Sequence, residues 1–350
     1  MELDEIRKFA LKVWKFKEGE LVAVMIHVGD RLGLYQAMAG SGPMTPDELA
    51  SVTNTDMRWI QEWLYGQAAA GLVNHDDGQF ELTPVGAAVL ADEEESQFFA
   101  AGAFTGITNQ EVIEQLIEAM RTGGGFSYED QGEVATRTTE RMSRPSFTKF
   151  FLPVVIPAIP GLKDRLTTGA NVVEVGCGSG VAIDALARAF PASHFLGVDP
   201  SSIAVGRARE RSVDLDNAEF REGHAEELAS YGQRFGVVLA LDALHDMPHP
   251  DRALAAVRSV LEPDGVMVIQ DIKSKPGFEN NLRNPVLALQ YGFSLTSCLA
   301  SGLSETGGMG LGTLGFNPEV AERLVREAGF SRFAMHDLEA PTELFYEVRI

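Results

Sequence analysis

The stretch "VVEVGCGSGVAIDALARAF", Val172 to Phe190, decides the fold. An apolar run leads into glycines at 176, 178 and 180 and then into a segment of helical spacing, which reads as strand, tight turn and helix. Glycine lets the chain bend sharply and bring backbone amides against a ligand with no Cβ in the way. The spacing is G-x-G-x-G. A dinucleotide loop that binds pyrophosphate wants G-x-G-x-x-G, so NAD fits less well.

Beyond this turn short apolar strands alternate with helices: "HFLGVDP", "AEFREG", "GVVLALD" and "GVMVIQDI", with "SRFAMHDL" and "LFYEVRI" at the end. Such alternation predicts a mostly parallel sheet with helices on both faces and ligands beyond the carboxyl ends of the strands. The last two strands are expected to form an antiparallel hairpin at the sheet edge. Asp199 ends the second strand, 19 residues after Gly180, where a carboxylate can accept hydrogen bonds from vicinal ribose hydroxyls. Glu174 is an odd charge inside the first strand unless it faces a cation or orients the loop.

The run "LALDALHDMPHP", Leu239 to Pro250, ends a buried strand at Asp242 and then presents His245 and Asp246. Three roles are open to His245: a base or polar substrate contact, a helix-start role with Asp246 as cap, or a metal ligand with His249. No third ligand suggests itself, so no metal site is assigned. Asp271 ends the following strand, beside a long insertion of about residues 275–316 that has the position of a lid.

Toward the amino terminus, residues 2 to about 40 have helical periodicity, with Leu21, Val24, Val28, Leu32 and Leu34 expected on a buried side. Thr45 with Glu48 makes a capping box, Asn54 to Asp56 can start the next helix, and "GLVNHDDGQFELT" reads as a hairpin. Helices followed by a hairpin predict a winged helix. Residues 1–100 carry 17 acidic against 7 basic side chains, too few cations for DNA phosphates. Dimerisation or shaping a substrate chamber fits this module better. Residues 92–165 read as a helical connector, interrupted by "RTGGGFSYEDQGE", which is either a mobile flap with aromatic contacts from Phe126 and Tyr128 or a plain surface loop, and by the proline-rich "LPVVIPAIPG".

The formal net charge of -21 repels nucleic acid and anionic membranes. The two cysteines, Cys177 and Cys298, match no paired metal spacing and suit a reducing compartment, while no secretory signal or apolar span is legible. A cytoplasmic location is expected.

Glu174, the three glycines and Asp199 together resemble the class I S-adenosylmethionine-dependent methyltransferases. The amino half, with "GDRLGLYQAM", "TPDELA" and "EWLYGQAAAGLV", and the late "GGMGLGTLGF" are similar to bacterial small-molecule methyltransferases of the mycobacterial winged-helix group, and more distantly to the dimeric plant-type O-methyltransferases. The resemblance implies an α/β fold, a Rossmann-like methyltransferase sheet with an N-terminal winged helix. It divides the chain into a winged domain at 1–91, a connector at 92–165 and a cofactor domain at 166–350. S-adenosyl-L-methionine would be the cofactor, leaving S-adenosyl-L-homocysteine. Its binding residues would be Glu174, Gly176, Cys177, Gly178, Gly180, Asp199, Pro200, His224, Ala225 and Asp242, with His224 where the family puts an adenine contact. His245, Asp246 and Tyr128 are the catalytic candidates, with Met247 where the family carries an aromatic residue. The implied reaction is O-methylation of a small molecule by a homodimer, with His245 as general base. S-methylation of a small thioether acid, for instance a methylthio-hydroxy acid, needs no base and would make His245 a binding residue. A winged-helix regulator that senses the cofactor is the alternative from another class.

Overall fold

The computed structural model describes residues 3–104 and 110–350; residues 105–109 of the expected connector lie outside the described residues. The chain divides into two compact units, Met1–Ile107 with Arg137–Pro145, and Thr108–Thr136 with Ser146–Ile350. Residues of the 92–165 stretch thus contribute to both.

In the first unit, helices Leu3–Arg31, Leu34–Met38, Pro46–Thr53 and Met57–Ala69 precede a two-stranded wing, β1 (Asn74–Asp76) and β2 (Gln79–Glu81). The capping box forms: Glu48 N–H donates to Thr45 Oγ1 at 3.3 Å and Thr45 N–H to the Glu48 carboxylate at 2.7 Å. Asp56 caps the next helix, whereas Asn54 closes the one before it in a left-handed conformation. Asp77 and Gly78 both have positive φ, the condition of a tight hairpin turn that matches strand twist. Leu34, Tyr35, Met38, Leu49, Leu64 and Phe80 form the core. Arg141 acts in this unit as a half-buried clamp, bonding Asp30 through both terminal nitrogens at 2.6 and 2.9 Å and Glu93 beside it.

One expectation for this unit fails. Leu21, Val28 and Leu32 are exposed, and only Leu34 of the five is buried. Within one chain the long first helix has no neighbour over most of its length, and Phe9, Trp14 and Phe16 stand 67, 68 and 69% exposed.

The second unit is built on a seven-stranded sheet of β3 (Asn171–Val175), β4 (His194–Asp199), β5 (Ala218–Glu222), β6 (Phe235–Leu241), β7 (Leu261–Ile272), β8 (Arg332–His336) and β9 (Glu343–Arg349). Their order is β5-β4-β3-β6-β7-β9-β8; the first five run parallel, and β9 pairs antiparallel with both β7 and β8. Two apolar cores, one around Val172, Leu186 and Phe220 and one around Val173, Leu254 and Met267, cover alternate side chains of the strands. Every residue of β6 is buried, and each Val or Leu there contributes roughly 1.5–3 kcal/mol. Strand order reverses between β3 and β6, the place where a ligand crevice opens in such sheets.

The proline-rich run interrupts the connector only at its end, at residues 159–161, where the path bends by 103° into the helix Leu162–Thr168. Helix Tyr128–Pro145 continues into a π-helical stretch, Ser146–Val155, and then Ile156–Ala158. The looser turns accommodate Pro153, which lacks the N–H a regular helix uses. A further break in this path is at Gly132, with φ 77° and ψ -176°.

Candidate active site

The glycine turn leaves β3 with Gly176, Gly178 and Gly180 at φ 69°, 51° and 71°. Close packing enforces glycine at two of them: a Cβ on Gly176 would lie 2.6 Å from Ala243 Cβ, and one on Gly180 2.6 Å from the Phe220 ring. At Gly178 a Cβ would meet nothing within 4 Å, so the middle of the turn faces open space. Gly176 and Cys177 donate their N–H groups to Val198 O at 2.8 and 3.2 Å, folding the turn against the end of β4.

Asp199 completes that arrangement. Its Oδ2 accepts from Gly178 N–H at 2.8 Å and its Oδ1 from Ser201 N–H at 2.9 Å. Burial raises its carboxyl above the ordinary value, against the two amide bonds that pull it down. Glu174 is buried, one carboxylate oxygen has no partner, and burial followed by the Asp199 charge pushes its carboxyl well above the usual range. Pro200 and His224 are exposed, Ala225 is buried, and the Cys177 thiol is raised by burial first, then by Asp199 and Glu174.

Asp242 sits across the crevice at the end of β6, itself in a left-handed conformation with φ 53°. Gln270 of β7 donates to its Oδ2 at 2.7 Å, while its Oδ1 is buried without a partner. Burial, then Glu343 and Asp271, push this carboxyl well up. Two under-satisfied acids, the buried Glu174 and the half-buried Asp242, therefore flank the turn, with Asp199 spanning it. That donor set fits a ligand carrying ribose hydroxyls and an ammonium group: each orphaned oxygen is an acceptor in want of a cationic donor.

Three residues beyond Asp242, His245 is 3% exposed and lies between two carboxylates. Its Nδ1 is 2.9 Å from Asp271 Oδ1 and its Nε2 is 3.1 Å from Asp246 Oδ1. Both contacts have ion-pair length, but neither makes a linear hydrogen bond, since Nδ1 and Asp246 Oδ1 remain without one. Burial lowers the imidazole pKa, and the charges of Asp246 and Asp271 more than reverse this, leaving it well above its ordinary value. The remaining oxygen of Asp246 accepts from Tyr128 Oη at 2.8 Å. Burial and the Asp246 charge push that phenol well up. The structure thus brings His245, Asp246 and Tyr128 together.

Two of the roles open to His245 are not formed. Asp246 caps no helix, because the helix Pro250–Val260 starts at His249 without a side-chain cap. His249 Nε2 lies 3.5 Å from Glu305, away from any shared site with His245.

The flap that carries Tyr128 is tied down at several points. Gly125 N–H donates to Leu303 O at 2.8 Å and Phe126 N–H to Ala300 O at 3.1 Å, both in the lid insertion. A Cβ on Gly125 would fall 1.9 Å from Ala300 O, so this glycine is required by contact. Glu129 accepts from Ser202 Oγ at 2.6 Å, from Ser201 Oγ and from Ile203 N–H at 3.4 Å, joining the flap to the helix after β4. Ser297 Oγ donates to Gln131 Oε1 at 2.9 Å.

Asp271 as the partner of Nδ1, Gln270, Glu129 and Cys298 were not legible as site residues. Cys298 stands 53 positions after His245, a separation that carries no signal. It is buried in the lid and accepts from Thr313 Oγ1 at 3.0 Å.

Comparison with known proteins agrees with this architecture. Residues 166–292 match the methyltransferase domain family and residues 20–92 the Rv2258c-like winged HTH domain. A ubiquinone biosynthesis O-methyltransferase of Azorhizobium caulinodans is 33% identical over 112 residues, 31% of this chain and 42% of that protein. A phthiotriol/phenolphthiotriol dimycocerosates methyltransferase 1 of Mycobacterium ulcerans is 33% identical over 106 residues, 30% and 39% of the two chains. The chain spans less than half the length of these relatives. The structure of human N-acetylserotonin methyltransferase in complex with S-adenosylmethionine superposes with a TM-score of 0.70 at 16% identity, over 100% of this chain and 99% of that one. These matches fall in tandem along the chain, the Rv2258c-like winged HTH domain before the methyltransferase domain.

Proposed function

We propose that the chain is an S-adenosylmethionine-dependent methyltransferase that acts on a small organic molecule, with oxygen as the receiving atom. The observation that carries this reading is the position of Asp199, pinned by Gly178 N–H at 2.8 Å across the open middle of the glycine turn, with the orphaned oxygens of Glu174 and Asp242 on either side. When bound, the cofactor supplies a methyl group on a sulfonium. Asp199 would hold its ribose and Asp242 its ammonium group, while Tyr128 and the lid exclude water from the transfer. His245, with Nδ1 facing Asp271, would in its neutral form receive the acceptor's proton where Nε2 now meets Asp246.

One observation favours a second reading, transfer to a thioether. Both ring nitrogens of His245 already face carboxylates, and a thioether has no proton to give up. Buried carboxylates would then favour the sulfonium product. For partners, the exposed apolar side chains of the first helix, Phe9, Trp14 and Phe16 among them, support a homodimer formed through the amino-terminal unit. Among the described residues no single helix is long and apolar enough to cross a membrane. Two free, buried cysteines accord with a cytoplasmic location.

Titration with S-adenosylhomocysteine in a calorimeter tests the cofactor, and absence of binding would overturn the proposal. A screen of alcohols, phenols, carboxylates and thioethers for a mass gain of one methyl group distinguishes the two acceptors.

A further inference from the structure

His245, Asp246 and Cys298 bring a ring nitrogen, a carboxylate oxygen and a thiol sulfur within 4.8 Å of one another. Zinc accepts all three donor types, whereas calcium and magnesium favour only the carboxylate and not the ring nitrogen or the sulfur. Each donor group also has a polar partner of its own behind it. Asp271 stands 2.9 Å from His245 Nδ1, Tyr128 Oη donates to Asp246 Oδ2 at 2.8 Å, and Thr313 Oγ1 donates to Cys298 Sγ at 3.0 Å. With Nδ1 turned toward Asp271, Nε2 is the nitrogen left to ligate. Asp246 Oδ1, 3.1 Å from it, is buried without a hydrogen bond. Metal-bound histidines commonly face a carboxylate through their other nitrogen, and ligating carboxylates are commonly held by a donor as they are here.

We propose that His245, Asp246 and Cys298 form a mononuclear site for a divalent transition metal, zinc by preference, with a fourth position open to a ligand. Donor atoms around tetrahedral zinc lie about 3.3–3.8 Å apart. Nε2 and Oδ1 are nearly at that spacing already, and the thiol has to approach by roughly 1 Å. His249, turned to Glu305 at 3.5 Å, takes no part. The inference does not rest on methyl transfer. If both hold, the ion takes over from the imidazole the task of holding an acceptor heteroatom as its conjugate base, the proton going to water.

The test uses the full chain, stripped with a chelator, reloaded with zinc or cobalt(II) and freed of excess by gel filtration. S-adenosylhomocysteine binding is measured on the same samples. About one zinc should remain per chain, and the cobalt form should show the visible bands of a four-coordinate ion with a near-ultraviolet sulfur-to-cobalt absorption. Cys298→Ser should abolish that absorption, and Thr313→Val and Tyr128→Phe should each weaken zinc affinity about tenfold. Zinc retention below about a tenth of an equivalent by protein that still binds S-adenosylhomocysteine would overturn the proposal, given the one-ion site it assigns. So would a cobalt spectrum that Cys298→Ser leaves unchanged. Full zinc binding by a chain that ignores S-adenosylhomocysteine would uphold the metal site and remove the methyltransferase reading instead.

Discussion

At the ends of β3 and β4 the acid is held by backbone: Asp199 takes Gly178 N–H at 2.8 Å and Ser201 N–H at 2.9 Å, both within 21 residues of it. Beyond β6 and β7 the acids are held by side chains drawn from far along the chain. Asp246 meets Tyr128 of the flap, 118 positions away, and His245 meets Asp271 of the neighbouring strand. A backbone site survives many substitutions because the amides remain whatever the side chain. A side-chain site fails with any member. The two halves should therefore respond to mutation in separable ways, one through cofactor affinity and the other through turnover.

The largest expected effect is in the side-chain half. His245→Ala should lower turnover about a hundredfold or more while S-adenosylhomocysteine affinity stays within about twofold, as expected for loss of a group that acts on the acceptor. A parallel loss of both would mean that the two halves are one energetic unit. Next is Asp199→Ala, which should weaken S-adenosylhomocysteine by about 1–3 kcal/mol, roughly 5- to 150-fold, through lost ribose bonds and two orphaned amides. Calorimetry reads it directly, and unchanged affinity would detach Asp199 from the cofactor.

A third effect separates the acids by protonation. Asp242 and Glu174 have carboxyls raised in the fold, so the folded chain keeps protons that the unfolded chain has lost. Their contribution therefore costs stability as pH rises above the ordinary carboxylate range, up to the folded values. A cationic ligand beside Asp242 favours the charged form and should expel its proton. S-adenosylhomocysteine binding is expected to release up to about one proton at pH values between the ordinary carboxylate range and the raised one of Asp242, measured in buffers of different ionisation enthalpy, and Asp242→Asn should remove the release. No dependence on buffer would place the ammonium group elsewhere.

The same contrast explains what could be read without coordinates. The turn, the strands and Asp199 are local features, and the physics that forms them, glycine at positive φ and alternation of apolar strands, acts over a few residues. The wing was legible for that reason too, through Asp77-Gly78 and the capping box at Thr45. His245 was conspicuous as a polar residue just past a buried strand. Its neighbours were not: Asp271 is set by strand pairing, while Cys298 and Thr313 come from an insertion whose fold has no periodic signature. The first helix was misjudged because its apolar residues have the spacing of a buried face, and a single chain leaves that face exposed. The proline-rich run was legible only in part: the path does break at residues 159–161, but a π-helical stretch tolerates Pro153.

The smallest expected effect lies where the two halves meet. Glu129 reaches from the flap to Ser201, Ser202 and Ile203, next to Asp199, while Tyr128 beside it reaches Asp246. Burial raises the Glu129 carboxyl, but its bonds to Ser201, Ser202 and Ile203 N–H outweigh this and hold it below its usual value. The tie is thus complete above the ordinary glutamate pKa and is lost as pH falls through the folded one. Glu129→Gln should raise KM for both substrates a few-fold, about what one or two surface-accessible hydrogen bonds are worth, with little change in turnover. The variant should also remove any acid-side rise in KM seen with the native chain below about pH 5. A fall in turnover equal to that of Tyr128→Phe would instead mean that the flap acts on the histidine centre alone, and that the cofactor half closes without it.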